Sequence, residues 1–468
     1  MLEFRAYSPE NLIAVSPLIA QSPLLCSDVS LGAFLMWNQG LGVEFAVYHN
    51  TFIAKVDIGD EPAFSYPFGE DVDGALDALC RYTAKQDTAL TFYAVNEELL
   101  ASLKADKRFD SVCANYDRRW SDYLYSFEEM TTFAGRKFSG QRNHINRFKK
   151  TYGEPDLRPI QSADIPAIHE MLAEYRQHHS GGGMEKAELE GTYTLLDRFA
   201  DLGMIGCVLY VDDKVAGFTI GELVGTTFVI HVEKALTVYT GVYPTLFHHF
   251  MRYIRTHIDQ PILLVNREDD SGDLGLRTSK MQYQPIRILH KFMVRVNSPL
   301  CKIGEIGVIS FDGGVLTELE EFDKANYFAL CTDKTNNQYW GYDYENDRYI
   351  TEVDENTFFD SQKYDRSLGA SVTFAVRERE GGELVGETIV YRFTAGGHAE
   401  IGGRIAASHQ GKGLGTKAFA ATADFAERVL RVKPVAKCYK PNLPSAHMIR
   451  SAGFRQVGED DTFYYFER

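Results

Sequence analysis

The sequence predicts an α+β chain with mixed sheets, arranged as three folds of one type in tandem. Three observations carry this expectation. The chain has 468 residues, enough for about three domains of ordinary size. Two stretches, beginning near Leu209 and Phe374, repeat one order of hairpin, second strand pair and glycine-entered helix. The later stretch ends in a glycine-dense turn, Gln410-Gly411-Lys412-Gly413-Leu414-Gly415-Thr416, between a strand pattern and a helix pattern.

Composition narrows the class. Hydrophobic residues at 44% and aromatics at 13% indicate a globular chain with large cores. A net charge of -16 argues against general nucleic-acid affinity. Cysteines 26, 80, 113, 207, 301, 331 and 438 are scattered, odd in number and never C-x-x-C. That pattern predicts reduced thiols in a cytoplasmic protein, with no disulfide framework and no metal site. Glu3 and Arg5 interrupt the start, so no signal peptide is expected. No apolar run approaches the roughly 18 residues of a membrane helix.

The first domain is expected over residues 1–150. Phe45–Tyr48 and Phe52–Val56 flank His49-Asn50 as a hairpin. Ala75, Leu76, Leu79 and Cys80 give residues 71–83 helical spacing, Leu90–Val95 reads as a strand, and Asn96 caps the helix after it. Residues 136–150 carry Arg136, Lys137, Arg142, Arg147, Lys149 and Lys150 and no acid. Wound at about 100° per residue, Phe138, Ile145 and Phe148 share one face, and Arg136, Asn143, Arg147 and Lys150 the opposite one. The stripe is either a solvated helix face or a site for phosphate or nucleic-acid backbone.

The second domain is expected over 151–298. Leu157–Ile160 enters it, and Ser162 or Asp164 caps a helix through Tyr175. His178-His179-Ser180-Gly181-Gly182-Gly183 reads as a mobile loop, with metal binding the other reading. Leu209–Val211 and Val215–Ile220 form the hairpin, followed by a strand over 227–233. Gly217 precedes Gly241 by nearly the interval that separates Gly386 from Gly411. Aligned on those glycines, Tyr243 and Pro244 oppose Gly413 and Leu414. Proline removes an N–H and tyrosine fills space, so the middle copy is expected to have lost the phosphate site that the last copy keeps.

Asn297-Ser298-Pro299 begins a linker, and the third domain occupies 299–468. Phe374–Arg377 and Leu384–Ile389 form its hairpin, and 398–405 its next strand. A helix over 417–430 presents Phe419, Ala423, Ala426 and Leu430 to the core. The turn between them offers free N–H groups at the positive end of a helix dipole, a site for phosphate. Its spacing fits neither a Walker loop nor a dinucleotide fingerprint. It fits Q-x-x-G-x-G, at Gln410, Gly413 and Gly415. Val435–Tyr439 then reads as a strand, and Asn442-Leu443-Pro444-Ser445 opens a helix ending at Ala452-Gly453-Phe454.

This series resembles the GCN5-related N-acetyltransferases (GNAT). The resemblance implies acetyl-CoA as co-substrate and an amine acceptor, either a small molecule or a peptide. It implies that Arg404, Ile405 and the loop Gln410, Gly411, Lys412, Gly413, Leu414, Gly415 and Thr416 bind the cofactor, with Ile405 polarising the thioester carbonyl. Asn442 would bond the pantetheine arm. The family's usual tyrosine acid falls at Ile449 here. A branch similar to ribosomal-protein acetyltransferases uses a serine at the Ser445 position; a helix cap is the other reading of Ser445. Glu400 is the candidate to take the amine proton through water, against the reading of an exposed strand glutamate.

Residues 1–298 carry a second resemblance. Phe138–Phe148, His231-Val232-Glu233-Lys234-Ala235, Asn266-Arg267-Glu268-Asp269, Gly275-Leu276-Arg277, Lys280 and Tyr283-Gln284-Pro285 are similar to the soluble bacterial family related to the C-terminal domain of phosphatidylglycerol lysyltransferases. It implies two acetyltransferase-like folds in tandem, and a relation to enzymes that move an aminoacyl group from tRNA. The leading expectation is an acetyl-CoA-dependent N-acetyltransferase acting in the last domain. The alternatives are an aminoacyl-tRNA-dependent transferase centred on 136–285, with tRNA or another phosphorylated ligand on the basic stripe, or a non-enzymatic binding module there.

Overall fold

The computed structural model describes residues 2–58, 61–178, 183–340 and 353–468. Residues 179–182 of the expected histidine–glycine loop lie outside the described residues. Those described form three sheets, and the chain divides into two compact units.

The first unit comprises 1–77, 93–99 and 116–292. Its first strands, Arg5–Ala6, Glu44–Tyr48, Thr51–Ile58 and Glu61–Phe64, pair antiparallel in that order. The predicted hairpin turn is present: His49 and Asn50 both take left-handed φ, 44° and 56°, the geometry whose twist matches a hairpin. Asn96 accepts from the Leu99 amide at 2.9 Å and so caps Glu97–Ala105.

A second sheet in this unit runs Arg287–Leu289, Asp122–Ser126, Leu264–Asn266, Thr227–Ala235, Lys214–Val224, Ile205–Val211, Asp156–Pro159. Helix Val242–His257 packs on it and buries Phe247, Phe250 and Ile254 among Tyr123, Tyr125 and Phe228, and Leu246 among Phe148, Leu209 and Ala235. The basic segment forms helix Ser139–Tyr152 after a short turn at Arg136–Phe138. Phe138, Ile145 and Phe148 are buried, while Arg136, Asn143, Arg147 and Lys150 are exposed, as the helical spacing predicts.

The second unit comprises 78–92, 100–115 and 293–468. One sheet runs Ile309–Phe311, Gly314–Glu318, Val372–Arg377, Gly386–Tyr391, His398–Ile405, Lys433–Tyr439, Phe463–Glu467, Arg455–Glu459. Helix Leu414–Phe425 starts three residues before the predicted 417, because Gly413 in left-handed conformation (φ 76°) starts it directly from the loop. It continues as a π turn over Ala426–Leu430. Phe419, Ala423, Ala426 and Leu430 are all buried.

Two expectations are corrected. Cys113 and Cys301 are joined in a disulfide, with Cα atoms 5.5 Å apart, while cysteines 26, 80, 207, 331 and 438 form no disulfide. Residue spacing along the chain did not reveal that fold-mediated approach. The second concerns the repeat. Gly217 pairs with Ala235 and Gly386 with Ile405, so those strand ends correspond. The glycine that starts each helix is Gly241 (φ 81°) in one copy and Gly413 (φ 76°) in the other. Gly241 therefore matches Gly413, not Gly411. The middle loop is shorter, and Tyr243 and Pro244 stand opposite Gly415 and Thr416.

Candidate active site

The last sheet opens where the glycine loop lies. Strands His398–Ile405 and Lys433–Tyr439 are parallel and paired only over His398–Glu400 and Lys433–Val435; beyond that they part. Ile405 ends the first strand, and residues 406–413 connect it to the helix. Gly411 and Gly413 both have φ 76°, and a Cβ on either would meet nothing within 4 Å. The space above them is open. Among the described residues, none of the amides from Gly411 to Thr416 has a backbone acceptor, as the first amides of a helix must. Lys412 is exposed and Leu414 buried. Gln410 does not face that space: its Nε2 donates to the Ile405 carbonyl at 2.8 Å and to Asn336 Oδ1 at 3.0 Å.

Asn442 caps helix Leu443–Ser451, its Oδ1 accepting from the Ser445 amide at 3.2 Å. The cap is thus Asn442 rather than Ser445. The Ser445 hydroxyl hydrogen-bonds Cys438, whose thiol burial nevertheless pushes up. Ile449 is buried in the core. Glu400 accepts from the Tyr391 hydroxyl at 2.6 Å and Arg392 Nη1 at 3.2 Å, with Lys437 Nζ at 3.9 Å. It is a held carboxylate, not a free surface group. The Arg404 side chain turns away from the loop. It pairs with Glu387 at 2.6 Å, bonds Asn337 and lies 4.3 Å from the Trp340 ring. Asn336, Asn337, Tyr391 and Cys438 were not legible as site residues, because each acquires its role only from a neighbouring element.

The middle copy resolves the same geometry differently. Strands Thr227–Ala235 and Leu264–Asn266 pair in parallel only over Thr227–Val229. The Ala235 amide, the counterpart of Ile405, donates to the Tyr243 hydroxyl at 3.3 Å. Gly241 is covered: a Cβ there would lie 2.4 Å from the His144 carbonyl of the basic helix. Tyrosine and helix together fill what the last copy leaves open. Arg136, in the turn before that helix, and Asn143, Arg147 and Lys150 on its outer face have no side-chain partner among the described residues. Lys137 pairs with Glu129, and Lys149 with Glu154.

The first unit also holds a buried charged cluster. His231 Nε2 lies 2.9 Å from Glu222 and Nδ1 2.8 Å from Glu268. Lys291 contacts Asp28 at 2.5 Å, Asp122 at 2.8 Å and Asp269 at 3.5 Å. Arg267 pairs with Glu233 at 2.9 Å and lies 4.3 Å and 4.5 Å from the rings of Phe247 and Tyr283. Arg277 makes two bonds of 2.9 Å to Asp270. Burial opposes the Asp270 charge, yet Arg277 and the Tyr123 hydroxyl hold its carboxyl down to about 2. Segments distant in sequence, 231–235 and 266–280, thus converge on one cluster.

Residues 21–295 match the family model described as phosphatidylglycerol lysyltransferase, C-terminal. The chain belongs to that family. The phosphatidylglycerol lysyltransferase C-terminal module supplies two of the three tandem folds. Residues 315–455 match the acetyltransferase (GNAT) domain and supply the third. A solved structure of a conserved protein of unknown function from Bacteroides thetaiotaomicron is 28% identical, with a TM-score of 0.58, covering 64% of this chain and 100% of that one. The C-terminal domain of a putative lysylphosphatidylglycerol synthetase from Agrobacterium fabrum is 15% identical, with a TM-score of 0.45, covering 61% and 92%. An uncharacterized protein of Mycoplasmoides gallisepticum is 22% identical over 177 residues, which span 38% of this chain and 56% of that relative. Among the described residues, no helix is long and apolar enough to cross a membrane.

Within the lysyltransferase-type module, His231 gives a pH signature. Burial alone would lower its pKa, but the hydrogen bonds and charges of Glu222 and Glu268 raise it to about 9. The folded value lies above the unfolded one of about 6.5. The stabilisation is therefore full below about pH 6.5 and is lost as pH rises towards 9. The urea midpoint of the wild type should fall across this window, and His231→Gln should flatten the fall. Equal slopes for the two proteins would show that His231 is not charged.

Proposed function

We propose that this chain is a cytoplasmic N-acetyltransferase that moves an acetyl group from acetyl-CoA to an amine. Its active site lies in 299–468, after two related folds in 1–150 and 151–298 that lack acyl-CoA. The observation that carries the reading is the row of unpartnered amides from Gly411 to Thr416, at a helix N-terminus, under open space and beside the parted strands. Pyrophosphate suits that row, because several charge-assisted bonds form at once and the helix dipole favours negative charge.

The geometry supports the following roles. The Ile405 amide corresponds to the Ala235 amide that reaches Tyr243, so it faces the wedge between the strands and polarises the thioester carbonyl. Asn442 uses its oxygen for the cap and keeps Nδ2 for the pantetheine arm. The amine nitrogen attacks the carbonyl carbon and the C–S bond breaks. The amine proton passes through water to Glu400, whose hydrogen bonds to Tyr391 and Arg392 fix its position. The leaving thiolate takes a proton from Ser445, beside Cys438, and the proton held by Glu400 returns through water to the Ser445 oxygen, so both residues end as they began. Arg404 serves by holding the strand end, through Glu387 and Asn337.

A second reading rests on a separate observation: the exposed, unpaired Arg136, Asn143, Arg147 and Lys150 within the lysyltransferase-type module. There tRNA, or another phosphate-bearing ligand, binds the stripe, and the chain transfers an aminoacyl group to a lipid or peptide.

Two outcomes test these readings. Gly415→Tyr with Ile405→Ala transplants the middle copy's closure into the last copy. A folded double variant should bind CoA at least about a hundredfold more weakly, since several charge-assisted bonds are lost together. Unchanged CoA titration would overturn the first reading. For the second, tRNA affinity should fall steeply with salt, and Arg147→Gln with Lys150→Gln should flatten that slope by up to about two units. A salt series with tRNA and with anionic phospholipid vesicles is the measurement. No binding of either at low salt would remove the second reading.

A further inference from the structure

The 410–416 loop is tied to the segment before residue 338 through one carboxamide. Asn336 sits on the short helix Lys334–Asn337, whose first amides are held by Asp333. Asn336 Nδ2 donates to the Ile405 carbonyl at 3.0 Å, and its Oδ1 accepts from Gln410 Nε2 at 3.0 Å. Gln410 Nε2 also reaches that carbonyl, at 2.8 Å. Two carboxamides and one carbonyl thus close a triangle. The next residue, Asn337, donates to the Leu330 and Cys331 carbonyls, both at 2.9 Å, and accepts from Arg404. Adjacent asparagines therefore grip both residues at the end of the strand, one through a side chain and the other through a carbonyl.

The grip has a consequence for the loop. Ile405 is the last strand residue before the connection that ends in the amide row. Its carbonyl lies in the peptide plane shared with Ala406, whose N–H donates to the Val385 carbonyl at 2.9 Å, so that plane is the joint between the strand and the loop. The two bonds accepted by that carbonyl hold the other edge of the plane, and Gln410, the residue just before Gly411, is held in the same step. Gly411 and Gly413 have no side chains to hold them and take a left-handed conformation that glycine adopts without steric cost. The loop's position therefore depends on Gln410 at one end and the helix at the other. The Asn336 side chain has no bond to the amides from Gly411 to Thr416.

We propose that Asn336 is a positioning residue that presets the cofactor loop by locking Gln410 and the Ile405 carbonyl. The proposal rests on the acyl-CoA reading above. The experiment is a calorimetric titration of CoA into the full chain and its Asn336→Ala, Gln410→Ala and doubly substituted forms, with thermal midpoints recorded. Each single change should weaken CoA about tenfold, as expected when a preset loop must be ordered on binding. The double variant should be no more than about threefold weaker than either single one, because both act on the same carbonyl. Asn336→Asp keeps the acceptor for Gln410 but sets a carboxylate oxygen against the Ile405 carbonyl, so it should bind CoA no better than Asn336→Ala, and wild-type affinity in Asn336→Asp would overturn the role given to the carbonyl bond. Unchanged CoA affinity in Asn336→Ala, or fully additive losses, would overturn this proposal alone. No CoA binding by the wild type would overturn the acyl-CoA reading and this proposal with it.

Discussion

Strands 398–405 and 433–439 share hydrogen bonds over His398–Glu400 and Lys433–Val435 and then part. Everything proposed for the last domain depends on that parting. A sheet that stayed closed would satisfy its own N–H groups and offer nothing to a thioester. Once it opens, the strand end must be held from outside the sheet, because exposed backbone is free to rotate. Arg404 with Glu387 and Asn337, and Ile405 with Asn336 and Gln410, supply that restraint. The glycine loop can then be open and still placed.

The same parting occurs in the middle copy, with the opposite outcome. There the free amide of Ala235 is satisfied internally by Tyr243, and the helix start is roofed by the basic helix. The side-chain position that is glycine at 415 lies 3.1 Å from Ile405 when a Cβ is added. In the middle copy the partner is the smaller Ala235, which admits the tyrosine. One pair of substitutions, small against large on the strand and large against small on the helix, separates an open site from a closed one. The closed copy then uses its neighbourhood differently, burying the His231, Lys291 and Arg267 ion pairs of the lysyltransferase-type module.

The order of elements in the last domain was legible because each carries a local signal. The alternation of 398–405, the glycines at 411, 413 and 415, and the apolar spacing of the following helix all act within a few residues. The helix opening at 442–445 was legible for the same reason, but its cap was read at Ser445 and is Asn442. The repeat was legible as an order, but its register was not. Counting from the first glycine matched Gly241 to Gly411, whereas the left-handed residue that starts the helix fixes Gly241 opposite Gly413. The Cys113–Cys301 bond and the Asn336–Gln410–Ile405 triangle depend on contacts between segments 188 and about 70 residues apart, and no local pattern encodes those. Glu400 was legible as a candidate, yet its anchoring by Tyr391 and Arg392 required the neighbouring strand.

The central claim is that, of three related folds, one holds acyl-CoA and the middle copy has closed its counterpart. Counting CoA equivalents bound per chain by titration calorimetry tests it most directly. The account predicts one equivalent. Two equivalents, or a single one that survives closure of the 410–416 loop, would contradict it.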